Sequence, residues 1–224
     1  MLNQAARYFP ILRILREQNL ATSDSVLEIG SGPVGLGQFR KIRFVGCDLS
    51  FLIQPQSPMV PLIASAAALP FHESSFDVVI ASDVLEHVPS IARQVVIAET
   101  LRVARKLVIF AFPCGEIAHN ADRKLLETYV SKNLEPPSWL REHMLEDFPE
   151  PDLFQSTQDW TVTRFGNENI QFHSWMMRLE LFGAFNYGMR GGLRLVPQVI
   201  ESVLRKADYP PFYRQIFLLR RVRG

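Results

Sequence analysis

Cysteine is scarce: Cys47 and Cys114 are the only two in 224 residues. Two distant cysteines cannot form a disulfide-stapled framework, and their sparseness fits a reducing compartment such as the cytoplasm. Long apolar runs are missing too, since none reaches the ~18–20 residues of a membrane span. The first twenty residues contain Arg7, Arg13, Arg16 and Glu17, which make them too polar for a signal-peptide core. Charge of one sign is also lacking. The net charge of +1 gives no global electrostatic case for a nucleic-acid partner. There are no internal repeats and no low-complexity tracts.

What is present suits one soluble domain with a sizeable insertion: 47% of residues are hydrophobic and 21% charged. Leu2, Ala6, Phe9, Leu12 and Leu15 recur at near-helical spacing and predict an N-terminal helix, broken or kinked near Pro10. Short apolar strands are predicted at 25–30, 41–48, 59–64, 75–82 and 105–113; Pro61 confines the third to an edge. Between the last two, Ile91, Val95, Ala98 and Leu101 form the stripe of an amphipathic helix. Strands alternating with helical segments predict a mostly parallel sheet covered on both faces. Such sheets bind ligands beyond their strands' carboxyl ends, which brings Gly30, Asp48, Ser82 and Pro113 to one rim.

After Pro113 the rhythm changes. Residues 114–158 are charged and broken by Pro136, Pro137, Pro149 and Pro151, too long for an ordinary connection. Leaving from a strand's carboxyl end, they are expected to form a helical lid. Residues 159–165 read as a strand, 167–185 and 191–207 as helices with a break near Pro197, and 213–222 as a closing strand. The expected division is an N-terminal helix (1–24), a binding core (25–113), the lid (114–158) and C-terminal strands and helices (159–224).

Gly30-x-Gly32-x-x-Gly35 in "VLEIGSGPVGLG" matches the dinucleotide-binding fingerprint. Alone it is compatible with a nicotinamide enzyme. Its surroundings point elsewhere. Glu28 stands two residues before the first glycine, Asp48 closes the second strand in "GCDLS", and "AAALPFHESSFDVVIASDVLEHV" follows. Over residues 7–113 this ordered set resembles the class I S-adenosylmethionine (SAM)-dependent methyltransferases of the type-11 branch, which includes quinone methyltransferases. The resemblance implies a Rossmann-like sheet, mostly parallel with its last strand antiparallel, helices on both faces, and SAM as cofactor.

It also implies site residues. Gly30, Ser31, Gly32 and Gly35 would form the turn along the amino-acid end of SAM. Glu28 would orient that turn or reach the methionyl ammonium. Asp48 would accept the ribose hydroxyls, and Leu49 would lie on the adenine face. The backbone at Ala66 would meet the adenine edge, and Ser65 stands where the family usually has an acid. Ser82 and Asp83 would line the rim beside the sulfonium. Pro33 and Val34 occupy loop positions that are often smaller or more flexible.

No Asn-Pro-Pro-Tyr-like tetrapeptide closes the fourth strand, where "SDVL" stands, which argues against amino-methyltransferases acting on DNA bases or protein glutamine. A small-molecule acceptor methylated on oxygen is expected. The segment "PPSWLREHMLEDFPEPD" resembles one in methyltransferases of bacterial surface-glycan synthesis, implying a sugar or glycolipid acceptor. Oxygen acceptors need a base or a metal. His119, His143 and His87 are the candidate bases, although His119 and His143 also read as ordinary surface residues and His87 as a packed one. Cys/His spacing predicts no metal site. His72 and His173 read as structural or exposed, and Asp77 as a structural residue at a strand start. From Tyr187 onward eight Lys/Arg face two acids, an excess of +6. That region is either a solvated face or a contact for a membrane surface, which would suit a lipid or quinone acceptor. A SAM-binding module without catalysis is the alternative from outside the enzymes.

Overall fold

The computed structural model describes residues 2–19 and 23–222. Helix α1 (Leu2–Glu17) precedes strands β1 (Val26–Ile29), β2 (Phe44–Asp48), β3 (Met59–Ile63) and β4 (Phe76–Ser82). Helix α2 (Arg93–Val103) leads into β5 (Ala104–Pro113). Helices α3 (Gly115–Ser131) and α4 (Ser138–Glu142) come next, then β6 (Trp160–Asn169), α5 (Ile170–Leu179), α6 (Gly183–Leu195), α7 (Pro197–Lys206) and β7 (Phe212–Arg221). One seven-stranded sheet has the order β3-β2-β1-β4-β5-β7-β6. Its first five strands run parallel, and β7 is antiparallel to both neighbours.

β4 shows why the sheet needs cover on both sides. All seven of its residues are buried. Val78 and Ile80 face one core with α1, α5 and α7; Val79 and Ala81 face the other with Val96, Ile97 and Val103 of α2. Burial of so many Val, Ile and Leu side chains, each about 1.5–3 kcal/mol, is the main term holding the layers together.

Helix α1 is buried on nearly every side because it lies against the sheet, α5 and α7. It continues through Pro10 rather than breaking there. The α2 stripe is a correction. Ile91 and Val95 are exposed, and the inward face is Arg93, Val96, Ile97, Thr100 and Val103. Inside α2 a different face from the expected stripe turns to the sheet, and the 3-10 turn at Ser90–Ala92 leaves Ile91 outside the helix. Arg93 tolerates burial because its Nε donates to the carbonyls of Leu85 and Val88, both at 3.1 Å.

Asn167–Asn169, read as the start of a helix, instead continue β6 and pair with β7. The Asn169 side chain then caps α5, accepting from the amides of Gln171 and Phe172 at 2.9 and 3.2 Å. The break expected near Pro197 falls between α6 and α7, with Pro197 opening α7.

Candidate active site

The parallel register of β1, β2 and β4 sets Ile29 beside Cys47 and Ala81. The residues that follow therefore emerge at one level of one rim. A cleft of about 470 Å³ opens there, lined by Gly30, Asp48, Leu49, Ser65, Ala66 and Asp83 among others. That volume is of the size that holds a nucleoside-like ligand.

The glycine turn is shaped by Glu28. This carboxylate is fully buried, accepts from the Tyr8 hydroxyl and from the Leu36 amide, both at 2.7 Å, and does not line the cleft. Burial raises its pKa, which the Leu36 amide, Arg7 and Tyr8 partly offset. Of its two expected roles, the geometry leaves the orientation of the turn. Gly30, Gly32 and Gly35 all have positive φ, at +68°, +55° and +49°. At Gly35 an added Cβ would meet Glu28 Oε2 at 2.3 Å, so only glycine lets the turn close over its anchor. The Pro33 carbonyl, for its part, accepts from the Gln56 amide at 2.9 Å and ties the turn to the chain before β3.

Asp48 Oδ2 accepts from the Gly32 amide at 2.9 Å and Oδ1 from Leu49 at 2.8 Å. Each oxygen keeps a further lone pair toward the cleft. Leu49 is 72% exposed, an apolar side chain left open at the cleft. Ser65 Oγ accepts from the Ala67 amide at 3.2 Å. Ser31 and Ser82 are buried and line neither this cleft nor its neighbour.

Ser82 is held from below. Arg7 reaches it with Nε to Oγ at 3.1 Å and with a second nitrogen on the Ser82 carbonyl. Asp83 adopts φ +49°, left-handed for a non-glycine residue, and is gripped bidentately by Arg214 at 2.8 and 3.0 Å. Burial would raise its pKa, but Arg214 and Arg7 lower it. Both residues expected beside the sulfonium thus serve an arginine frame, and Asp83 alone of them also faces the cleft.

A second cavity of about 270 Å³ adjoins the first, and Asp83 and His87 line both. Its other walls include Gln4, Arg7, Glu86, Trp139, His143 and Arg214. The insertion contributes through α4 and the residue after it: Glu142 touches the first cleft, Trp139 and His143 the second.

Two of the histidines differ from expectation. His119 and His143 are buried, at 8% and 4% exposure, not surface residues. His119 Nε2 meets the His143 carbonyl at 2.9 Å and lines neither cavity. His143 Nδ1 lies 2.6 Å from Asp122 Oδ2, and its Nε2 lies 3.3 Å from His87 Nε2. His87 Nδ1 in turn stands 3.0 Å from Glu142. Burial and the neighbouring His143 lower the His87 pKa.

Asp122 also accepts from the Tyr213 hydroxyl at 2.9 Å and faces His173 at 3.7 Å. Burial would raise its pKa; His143 and His173 bring it down to about 2. His173 is buried against Glu168 at 2.9 Å, and the two carboxylates outweigh desolvation and lift it to about 9. Arg214 closes the network on Glu168 at 2.8 Å.

Glu86 is 1% exposed, and neither of its oxygens has a hydrogen-bond partner. Burial and nearby Asp83 push its pKa well up. Sequence reading passed over it, together with Arg7, Asp122, Glu168, Tyr213 and Arg214. Two signals were available. Arg214 interrupts the apolar run of β7, and Asp122 sits three residues after His119 on the inward stripe of α3.

Elsewhere Asp77 binds the Ser25 amide and Lys106, a structural part, and His72 is exposed. The basic C-terminal region is partly internal: Arg214 is buried, while Arg220 bonds Gln18 and Arg221 bonds Ser74. Arg223 lies outside the described residues.

Residues 27–112 match the family model of the type-11 methyltransferase domain. No curated protein sequence matches the chain significantly. Among solved structures, a proposed sarcosine dimethylglycine methyltransferase from Galdieria sulphuraria is 14% identical with a TM-score of 0.57, over 97% of this chain and 85% of that one. Magnesium protoporphyrin IX methyltransferase from Synechocystis PCC 6803, solved with S-adenosylhomocysteine (SAH), is 13% identical with a TM-score of 0.55, over 98% and 84%. The (4+2)-cyclase SpnF has 13% identity and a TM-score of 0.53, over 96% and 82%. At such identities the likeness is one of fold. Residues 27–112 thus match a methyltransferase domain, in a chain that has the fold of the class I SAM-dependent methyltransferases.

Proposed function

We propose that the chain transfers the SAM methyl group to an oxygen of a small hydroxyl-rich acceptor, of the sugar or glycolipid type, held in the second cavity. The observation that carries this reading is the junction of the two cavities at Asp83 and His87. The first cleft fits SAM by its own chemistry: a glycine turn without Cβ obstruction, an acid with free lone pairs at Asp48, and the open apolar Leu49. SAM supplies an activated methyl on a sulfonium. The chain's residues align the acceptor against it, which is worth about 7–11 kcal/mol. Gln4, Arg7, Trp139 and Arg214 line the second cavity with donors and one aromatic plate, a lining suited to a polyhydroxylated ring. The acceptor's proton leaves toward Glu86, His87 and His143.

The test is SAH calorimetry followed by a panel of sugar, quinone and phenolic acceptors with labelled SAM. Wild type should bind SAH, and Asp48→Ala should weaken it at least about tenfold, the scale of a lost charged hydrogen bond. Binding of NAD in place of SAH would sink the reading. SAH binding with no acceptor methylated would leave a module without catalysis.

A second reading, a lipid-borne acceptor, has its own observation. Leu195, Val196, Val199 and Val203 are exposed along α6 and α7, with exposed Arg190, Arg194, Arg205 and Lys206 near them. Cosedimentation with anionic phospholipid vesicles, but not with neutral ones, would favour it.

A further inference from the structure

We propose that Glu86, His87 and His143 form a site for one divalent first-row transition-metal cation at the wall of the second cavity. One ligand atom from each lies within 4.8 Å of the other two. The sequence hides the set, because His143 comes 56 residues after His87.

Four observations converge. The first is spacing. The two Nε2 atoms are 3.3 Å apart, and two nitrogens each about 2.0–2.1 Å from a tetrahedral ion are separated by about that distance. The second is tautomer. Each ring has its Nδ1 against a carboxylate, His143 on Asp122 at 2.6 Å and His87 on Glu142 at 3.0 Å. With Nδ1 donating in both rings, the two Nε2 atoms face each other and can share either a proton or a metal cation. A carboxylate behind each imidazole is the support that metal-binding histidines use.

The third is Glu86. Glu86 is buried to 1% exposure with both oxygens unpartnered, and a bound cation would satisfy them. A small rotation of its side chain completes a two-histidine, one-carboxylate set, which leaves positions open toward the cavity. The fourth is charge. Arg7 and Arg214 share this wall and would repel a cation if free. Neither is free: Asp83 holds Arg214 at 2.8 Å and Arg7 at 3.6 Å, and Glu168 holds Arg214 again.

Two imidazoles favour zinc or iron over magnesium, and the carboxylate also suits manganese. Resting on the methyl-transfer reading, an open coordination position would take an acceptor hydroxyl and ease loss of its proton.

The experiment uses the tag-free full chain after chelator treatment. Zinc, manganese and magnesium chlorides are titrated separately by calorimetry, with SAH binding measured on the same sample. One equivalent of zinc or manganese should bind at micromolar affinity or better, and magnesium should bind at least a hundredfold more weakly. Glu86→Gln and His143→Ala should each lose at least tenfold in affinity. His87→Ala changes a half-exposed side chain and keeps the test open where the buried variants fail to fold. A chain that binds SAH but no zinc or manganese overturns the metal site and leaves the methyl-transfer reading standing. Binding that His87→Ala leaves unchanged also overturns it.

Discussion

The Arg214 guanidinium meets both oxygens of Asp83, at 2.8 and 3.0 Å, and turns its remaining edge to Glu168 at 2.8 Å. Both carboxylates sit on left-handed backbone, at φ +49° and +64°. One buried cation therefore fixes two strained residues from β4's end and β6, and with them the wall between the cavities. Arg214→Leu leaves two carboxylates without their cation and should cost about 3–5 kcal/mol. For a chain of this length that lowers Tm by roughly 6–20 °C. Arg214→Lys should fall between, since an ammonium cannot bridge bidentately. Equal stability of the three proteins in denaturant titration would refute the role.

The glycine turn predicts an asymmetry. An added Cβ at Gly32 meets nothing within 4 Å, so Gly32→Ala costs only the left-handed backbone penalty, about 1–2 kcal/mol. Gly35→Ala pays that and also displaces Glu28 from the Leu36 amide and the Tyr8 hydroxyl. It should be distinctly the less stable variant by chemical denaturation. Equal losses would mean that Glu28 does not anchor the turn.

His173 makes stability depend on alkaline pH. Its folded pKa of about 9 lies above the ordinary value near 6.5. The stabilisation is complete below about pH 6.5 and disappears as pH rises through about 9. Unfolding free energy measured from pH 6 to 10 should fall across that window, and His173→Gln should flatten the fall. A profile identical in both proteins would contradict the assignment.

Cys47 and Cys114 should be inert in the native state. Burial leaves them 1% and 7% exposed, pushes the Cys47 thiol up to about 11 and raises that of Cys114 as well. A thiol reagent at neutral pH should label neither until denaturant is added. Prompt labelling of Cys47 would show that the cleft opens far more than its geometry implies.

The sheet's parallel half was legible because β1, β4 and β5 are buried on both faces and read as unbroken apolar runs. The glycine turn was legible because positive φ demands glycine. The α2 stripe was misread because Val95 and Val96 are both apolar and adjacent, so the pattern alone does not say which of the faces bearing them turns to the sheet. Asn167–Asn169 were misread because polar residues can continue a strand when a partner such as β7 supplies the hydrogen bonds.

The sequence by itself determined the order of strands and turns, and hence the rim where Gly30, Asp48 and Asp83 emerge. Those features follow from local rules: apolar period, backbone dihedral and strand ends. Only the tertiary structure decided the chemistry beyond that rim. Glu86, Asp122, His143, His173 and Arg214 come from separate elements, and none of their spacings marks a site. Burial brings them within hydrogen-bond distance, and the low dielectric there makes each charge depend on its neighbours.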